Sequence, residues 1–161
     1  KRNGEAGEKS ITWTSKYGSL SASVYNMAVG EGVNEKGLGV HLLYLAEADY
    51  GYTTNRPRIS IGAYPQYILD NYATVAEAVK GLKKDNIQII APKAPSGHES
   101  SVHFAISDAS GDSAILEHIN GKLVIHHDKS FKVMTNSPTY DQQLTLNTYW
   151  KDIGGMTMLP G

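Results

Sequence analysis

The chain has no cysteine among its 161 residues. That excludes structural disulfides and leaves the compartment open, because proteins of either redox environment can lack the residue. No apolar run approaches the roughly 20 residues that cross a bilayer as a helix, and the charged and apolar regions of a signal peptide are missing at the start. An excess of one charge is also absent. Fifteen basic residues face sixteen acidic ones, for a formal charge of -1. Neither sign forms a block that could track phosphates or anionic lipid, so neither nucleic acid nor a membrane is expected as a partner. There is no Gly-x-Ser-x-Gly elbow, which excludes that serine-nucleophile design. Internal repeats and low-complexity tracts are lacking as well.

What is present fits one domain over residues 1–161. A chain of this length buries about 70% of its unfolded surface, and 40% apolar residues with 16 glycines is an ordinary globular composition. After a polar lead, Ile11–Ser15, Leu20–Tyr25 and Gly39–Leu45 favour branched and aromatic residues and read as strands. Tyr50–Arg58 has turn residues and aromatics without periodicity and reads as a surface loop of the kind that lines pockets. Ile68, Tyr72, Val75, Val79 and Leu82 form one apolar stripe, predicting helices at Tyr64–Asn71 and Val75–Lys83 with Thr74 and Glu77 as a capping box.

The following block reads as strands at Ile87–Ala91, Val102–Asp108, Ser113–Ile119, Lys122–His127 and Lys132–Thr135. Asn120-Gly121 is a two-residue hairpin turn. Its register puts Ala114, Leu116, His118, Leu123, Ile125 and His127 on one face and Ile115, Glu117, Ile119, Lys122, Val124 and His126 on the other. Both faces carry aliphatic residues, so cover is expected on both sides, as in a helix–sheet–sheet–helix sandwich of the α+β class. A last helix is expected at Tyr140–Trp150, with Thr139 and Gln142 in capping-box spacing.

The six histidines give no metal pattern. His126 and His127 are strand neighbours and point to opposite faces, and His98, Glu99 and His103 flank a Ser-Ser turn without ligand spacing. Satisfied or exposed histidines are the reading, and neither metal nor cofactor is expected.

Three segments carry chemistry: Asn34-Glu35-Lys36-Gly37-Leu38, Leu42-Leu43-Tyr44-Leu45-Ala46-Glu47, and Val133-Met134-Thr135-Asn136-Ser137-Pro138-Thr139-Tyr140. The last places a carboxamide at the end of an apolar strand, just before a helix. On the residues alone Asn136 reads as a turn residue and Tyr44 as a core or rim aromatic. Together, the three segments resemble the choloylglycine hydrolase and penicillin V acylase family of N-terminal-nucleophile amidases. The likeness runs from Thr12-Trp13-Thr14-Ser15-Lys16-Tyr17-Gly18 to Met158-Leu159-Pro160-Gly161 and is nearest to the Gram-negative penicillin V acylases.

The resemblance implies the four-layer N-terminal-nucleophile sandwich and a cysteine that, as first residue of the mature chain, attacks a non-peptide amide with its own α-amine as base. It makes the Asn136 side chain and the Tyr44 backbone N–H the oxyanion donors, as catalytic residues. The Tyr44 ring then faces the acyl pocket, with Tyr50 and Tyr52 as further substrate-binding residues. Trp13 is a weaker candidate wall. Tyrosine at position 44 leans toward a penicillin-type acyl group, since bile-salt hydrolases tend to have asparagine there. Phenoxymethylpenicillin or an N-acyl homoserine lactone is the expected small-molecule substrate. A conjugated bile salt, or a non-catalytic ligand-binding role, is the alternative.

The family also implies a homotetramer and, from its Gram-negative members, the periplasm. The cysteine, an aspartate that orients its amine and an arginine expected beyond Gly161 are not in the sequence. Lys1-Arg2-Asn3-Gly4 looks like a loop well inside the family's sequence. The chain is therefore expected to be an internal piece, inactive alone, with strand edges and apolar surface that favour association.

Overall fold

The computed structural model describes residues 1–26, 28–53, 55–84, 86–92, 97 and 100–153. In chain order its elements are β1 (Arg2–Asn3), β2 (Thr12–Trp13), β3 (Ser19–Val24), β4 (Ala28–Asn34), β5 (Gly39–Tyr44), β6 (Arg58–Ser60), α1 (Tyr64–Asn71), α2 (Val75–Leu82), β7 (Gln88–Ile90), β8 (Val102–Ser107), β9 (Ser113–Ile119), β10 (Lys122–His127) and α3 (Tyr140–Trp150). One antiparallel sheet in the order β10-β9-β8-β5-β4-β3 is the frame. Two short pairs, β1 with β2 and β6 parallel to β7, stand apart from it.

The hairpin of β9 and β10 has the register expected from its turn, with Leu123 opposite His118 and Ile125 opposite Leu116. Asn120 at φ 51° and Gly121 at φ 70° supply the two left-handed residues that a type I′ turn requires. Both faces of β9 are buried. Leu116 and Ala114 join Val40, Phe104 and Ile106 under Ile68, Val75, Val79 and Leu82 of α1 and α2, while Ile115 and Glu117 lie on the opposite face. Toward β3 that opposite face is open: Leu20 is 78% exposed and Val33 46%. Among the described residues no second sheet lies on it.

The capping box of α2 forms, with the Glu77 N–H donating to Thr74 Oγ1 at 3.2 Å. Its glutamate reaches back to the N–H of Ala73, one residue further than a standard box, at 2.9 Å. Asn34 clamps α1 to the sheet. Its Nδ2 donates to the carbonyls of Leu69 and Tyr72 at 2.9 and 2.8 Å, and its Oδ1 accepts from the N–H groups of Lys36 and Leu38, each at 3.0 Å. The side chain thereby takes up helix-end carbonyls and shapes the β4–β5 turn at once.

Several elements differ from the sequence reading. The strand expected at Ile11–Ser15 is only the pair Thr12–Trp13, and its partner β1 comes from the supposed polar lead. Strand β4 was not expected, because Gly30 and Gly32 lower its strand propensity. The glycine at 32 is required, since a Cβ there would stand 2.9 Å from Leu69 Cδ1 of α1 and 2.9 Å from the Leu20 carbonyl. Arg58, placed in the loop, begins β6, and the strand expected at Ile87–Ala91 pairs with β6 outside the main sheet. Lys132–Thr135 is not a strand, because side chains take its backbone bonds. The Thr135 N–H donates to Gln143 Oε1 at 3.1 Å and the Thr135 carbonyl faces His103 Nε2 at 2.9 Å.

The last helix has the expected bounds, but Thr139 makes no side-chain cap. The Tyr140 N–H donates instead to the Glu117 carboxylate, and Gln143, one residue beyond the expected Gln142, donates to the Pro138 carbonyl at 2.7 Å. His98 and Glu99 lie outside the described residues. His118 is not satisfied, because its Nδ1 is buried without a hydrogen-bond partner. Its ring sits among Tyr50 and Tyr64, and burial lowers its pKa to about 4.

Two stability measurements follow. Between pH 6.5 and about 4 the unfolded chain takes a proton that the folded His118 refuses. Its contribution is therefore intact above pH 6.5 and is lost as pH falls through that window, by about 3 kcal/mol at most. The raised His126 pKa acts above 6.5 and the lowered Glu117 pKa below 4.5, so the interval from 6.5 to 4.5 isolates His118. Chemical denaturation across it should show the slope in the native sequence and a flatter line in His118→Phe. Asn34→Ala should cost about 2–4 kcal/mol by the same method, because it strands the buried Leu38 N–H and Leu69 carbonyl; a loss below about 0.5 kcal/mol, the scatter of independent substitutions, would contradict the clamp.

Candidate active site

The end of β5 and the stretch before α3 meet through two hydrogen bonds. The Tyr44 N–H donates to Asn136 Oδ1 at 3.1 Å, and the Ala46 N–H donates to Ser137 Oγ at 2.7 Å. The two backbone N–H groups are available because Tyr44 ends its strand, where the ladder with β8 stops at Val102. Asn136 is exposed and its Nδ2 has no hydrogen-bond partner among the described residues. The bond from Tyr44 fixes which end of the carboxamide faces outward: the oxygen is held and the NH₂ group is presented.

Beneath this pair lies a buried charge network that the sequence reading did not single out. Glu117 is 1% exposed and His103 is fully buried. Glu117 Oε1 accepts from His103 Nδ1 at 3.0 Å and from the Tyr140 N–H at 2.9 Å, while Oε2 accepts from His126 Nε2 at 3.3 Å. Burial by itself would raise the Glu117 pKa. The bonds from His103, His126 and Tyr140 outweigh it, and the carboxyl is held down at about 2. His126 moves the other way, raised by the Glu117 carboxylate against the effect of its own burial, with Asp141 3.5 Å from its Nδ1. The opposite ring nitrogen of His103 meets the carbonyl of Thr135, the residue before Asn136, at 2.9 Å. The hairpin register had placed Glu117 and His126 on one face, which was the available signal. His103 comes from a different strand and gave none.

The other expected site residues are more dispersed. The Tyr44 ring is 53% exposed at the strand end. The Tyr50 hydroxyl donates to the Val102 carbonyl at 3.1 Å and accepts from the Val102 N–H at 2.9 Å, directly across the sheet from Tyr44. Burial raises the pKa of this phenol. The Tyr50 ring, however, lines a cavity of about 320 Å³ together with Tyr64, Leu82, Gln88 and His118, and Tyr44 is not among its walls. Tyr52 is 71% exposed and takes the Arg58 guanidinium against its ring at 5.7 Å, away from both. Gln88 holds this loop by donating to the Tyr50 and Gly51 carbonyls and accepting from the Thr53 N–H. Trp13 is a core residue whose Nε1 donates to buried Asp70 at 2.6 Å.

A six-stranded antiparallel sheet covered by helices on one face is the helix–sheet half of a helix–sheet–sheet–helix sandwich. The choloylglycine hydrolase family of linear amide C-N hydrolases matches residues 2–158, and the chain belongs to that family. It is 52% identical to the penicillin V acylase of Pectobacterium atrosepticum, over 100% of this chain and 45% of that protein. Identity to a bile salt hydrolase/transferase of Clostridium perfringens is 34%, over 74% of this chain and 37% of that one.

Among solved structures, penicillin V acylase from Agrobacterium tumefaciens superposes with a TM-score of 0.87 at 52% identity, covering 99% of this chain and 48% of that one. A variant of the conjugated bile acid hydrolase from Clostridium perfringens gives 0.74 at 25% identity, covering 94% and 46%. The chain thus spans less than half the length of these relatives.

Proposed function

We propose that this chain is the oxyanion-bearing part of an amidase that hydrolyses a non-peptide amide such as phenoxymethylpenicillin, with a cysteine supplied by sequence outside these 161 residues as nucleophile. The contact of the Tyr44 N–H with the Asn136 carboxamide at 3.1 Å is the observation that carries this reading. When the nucleophile adds to the amide carbonyl, negative charge collects on its oxygen. Asn136 Nδ2 would donate to it, and the Tyr44 N–H, which is 3.1 Å from Oδ1 of the same carboxamide, would divide its bond between Oδ1 and the new oxyanion. Donors fixed beforehand need no reorganisation as the charge develops, which is the basis of their effect on rate.

The 52% identity to a penicillin V acylase and the tyrosine at position 44 support a penicillin-type acyl group over a bile acid. Tyr44 would meet that group with its ring, while Tyr50 braces the backbone of Val102 behind it. Exposure of both donor residues also supports the reading that further sequence covers the site, since such donors are worth most where water is excluded.

In the complete protein, Asn136→Ala should lower kcat for phenoxymethylpenicillin by about 10²-fold or more, with a small change in KM. Steady-state kinetics on purified protein checks this, and undiminished turnover in the variant refutes the role of Asn136. The 161-residue chain alone should release no phenoxyacetic acid in the same assay, because it lacks a cysteine; measurable release would refute the assignment of the nucleophile.

A further inference from the structure

Residues 135–139, which carry Asn136, belong to no strand or helix, yet the contacts at both ends of the stretch return to a single carboxylate oxygen. At one end, the Tyr140 N–H donates to Glu117 Oε1 at 2.9 Å. At the other, the Thr135 carbonyl meets His103 Nε2 at 2.9 Å, and His103 Nδ1 donates to that same Oε1 at 3.0 Å. A carboxylate and a carbonyl can only accept, so the ring satisfies both only when each of its nitrogens carries a hydrogen. The Glu117 charge is what makes that form of a fully buried ring tenable.

We propose that Glu117 and His103 are positioning residues for amide hydrolysis, a buried ion pair that sets the location of the Asn136 carboxamide by holding the backbone on both sides of it. This rests on the reading of Asn136 as an oxyanion donor. Neither residue touches substrate. They act through the Thr135 carbonyl, one peptide from Asn136, and through the start of α3. His126 of β10 meets the same carboxylate, and exposed Asp141 of α3 lies 3.5 Å from the other ring nitrogen of His126. His126 meets Oε2, so the oxygen that links the two ends of the segment is left to His103 and Tyr140. A shift of about 1 Å in a catalytic group costs on the order of 10²-fold in rate, so a fixed backbone at this point bears directly on turnover.

The test is a double-substitution cycle on the complete protein, with phenoxymethylpenicillin as probe. Glu117→Gln keeps the shape but removes the charge. A neutral His103 that donates to the glutamine then turns a lone pair toward the Thr135 carbonyl. The expected result is a fall in kcat of about tenfold or more with KM moved less than about threefold, and a further loss below about twofold when Glu117→Gln is added to Asn136→Ala. An equal loss in both backgrounds overturns the proposal, because the effect would not pass through Asn136. Wild-type kcat in Glu117→Gln also overturns it, while leaving the role of Asn136 to its own substitution.

His103→Gln and His103→Leu form a second comparison. Both remove the ring, but only glutamine can donate to the Thr135 carbonyl, so His103→Gln should retain clearly more kcat than His103→Leu; equal rates count against the proposal. One measurement needs no substitution. Ring ¹⁵N spectra of the native protein at the assay pH should show hydrogen on both His103 nitrogens, and an unprotonated Nε2 overturns the assignment.

Discussion

A carboxylate taken out of water must be repaid by donors, and Glu117 receives them from three elements at once: His103 of β8, His126 of β10 and the first N–H of α3. An isolated charge at that depth would cost several kcal/mol. The fold therefore has a strong preference for the arrangement in which all three elements are in place. Removing any one of them leaves a buried anion short of a partner, a larger penalty than the net worth of the bond itself. That asymmetry ties the backbone at Thr135 and at Tyr140 to the sheet, although no ladder supports the stretch between them.

The opposite face of the sheet is organised by a neutral group with the same economy. Asn34 satisfies two carbonyls at the end of α1 and two N–H groups in the β4–β5 turn. Gly32 beside it lets Leu69 approach the strand more closely than any side chain would allow. Helix position, turn shape and strand spacing are consequently coupled. Since β5 follows that turn directly, the placement of Tyr44 at its far end depends on the same clamp.

Local patterns were legible in the sequence wherever the partners are close along the chain. The apolar stripe of α1 and α2, the Thr74 cap and the Asn120-Gly121 hairpin each depend on residues a few positions apart, and each was read with bounds good to one residue. Strand β4 was hidden because its glycines lower strand propensity, although Gly32 gives room to Leu69 of α1 and Gly30 to Val24 of β3. Lys132–Thr135 looked like a strand because composition cannot reveal that Gln143 and His103 take its backbone bonds. The cap of α3 was sought three residues ahead and is supplied from 23 residues behind. Asn136 and Tyr44 were expected as site residues from the family resemblance alone, and no spacing rule would have joined residues 92 positions apart.

The same distinction separates the tyrosines. Tyr50 sits where its hydroxyl can bond both backbone groups of Val102, a residue at the edge of the β5–β8 ladder. That use of the phenol is structural: it closes the sheet where the hydrogen-bond ladder ends and where the Tyr44 N–H turns toward Asn136. An aromatic residue can thus brace the backbone of a strand end with its hydroxyl while its ring lines a cavity elsewhere. Tyr52, bound to Arg58 instead, has no such link to the donor pair. Position along the chain grouped these residues, whereas strand alternation and hydrogen bonding divide their roles.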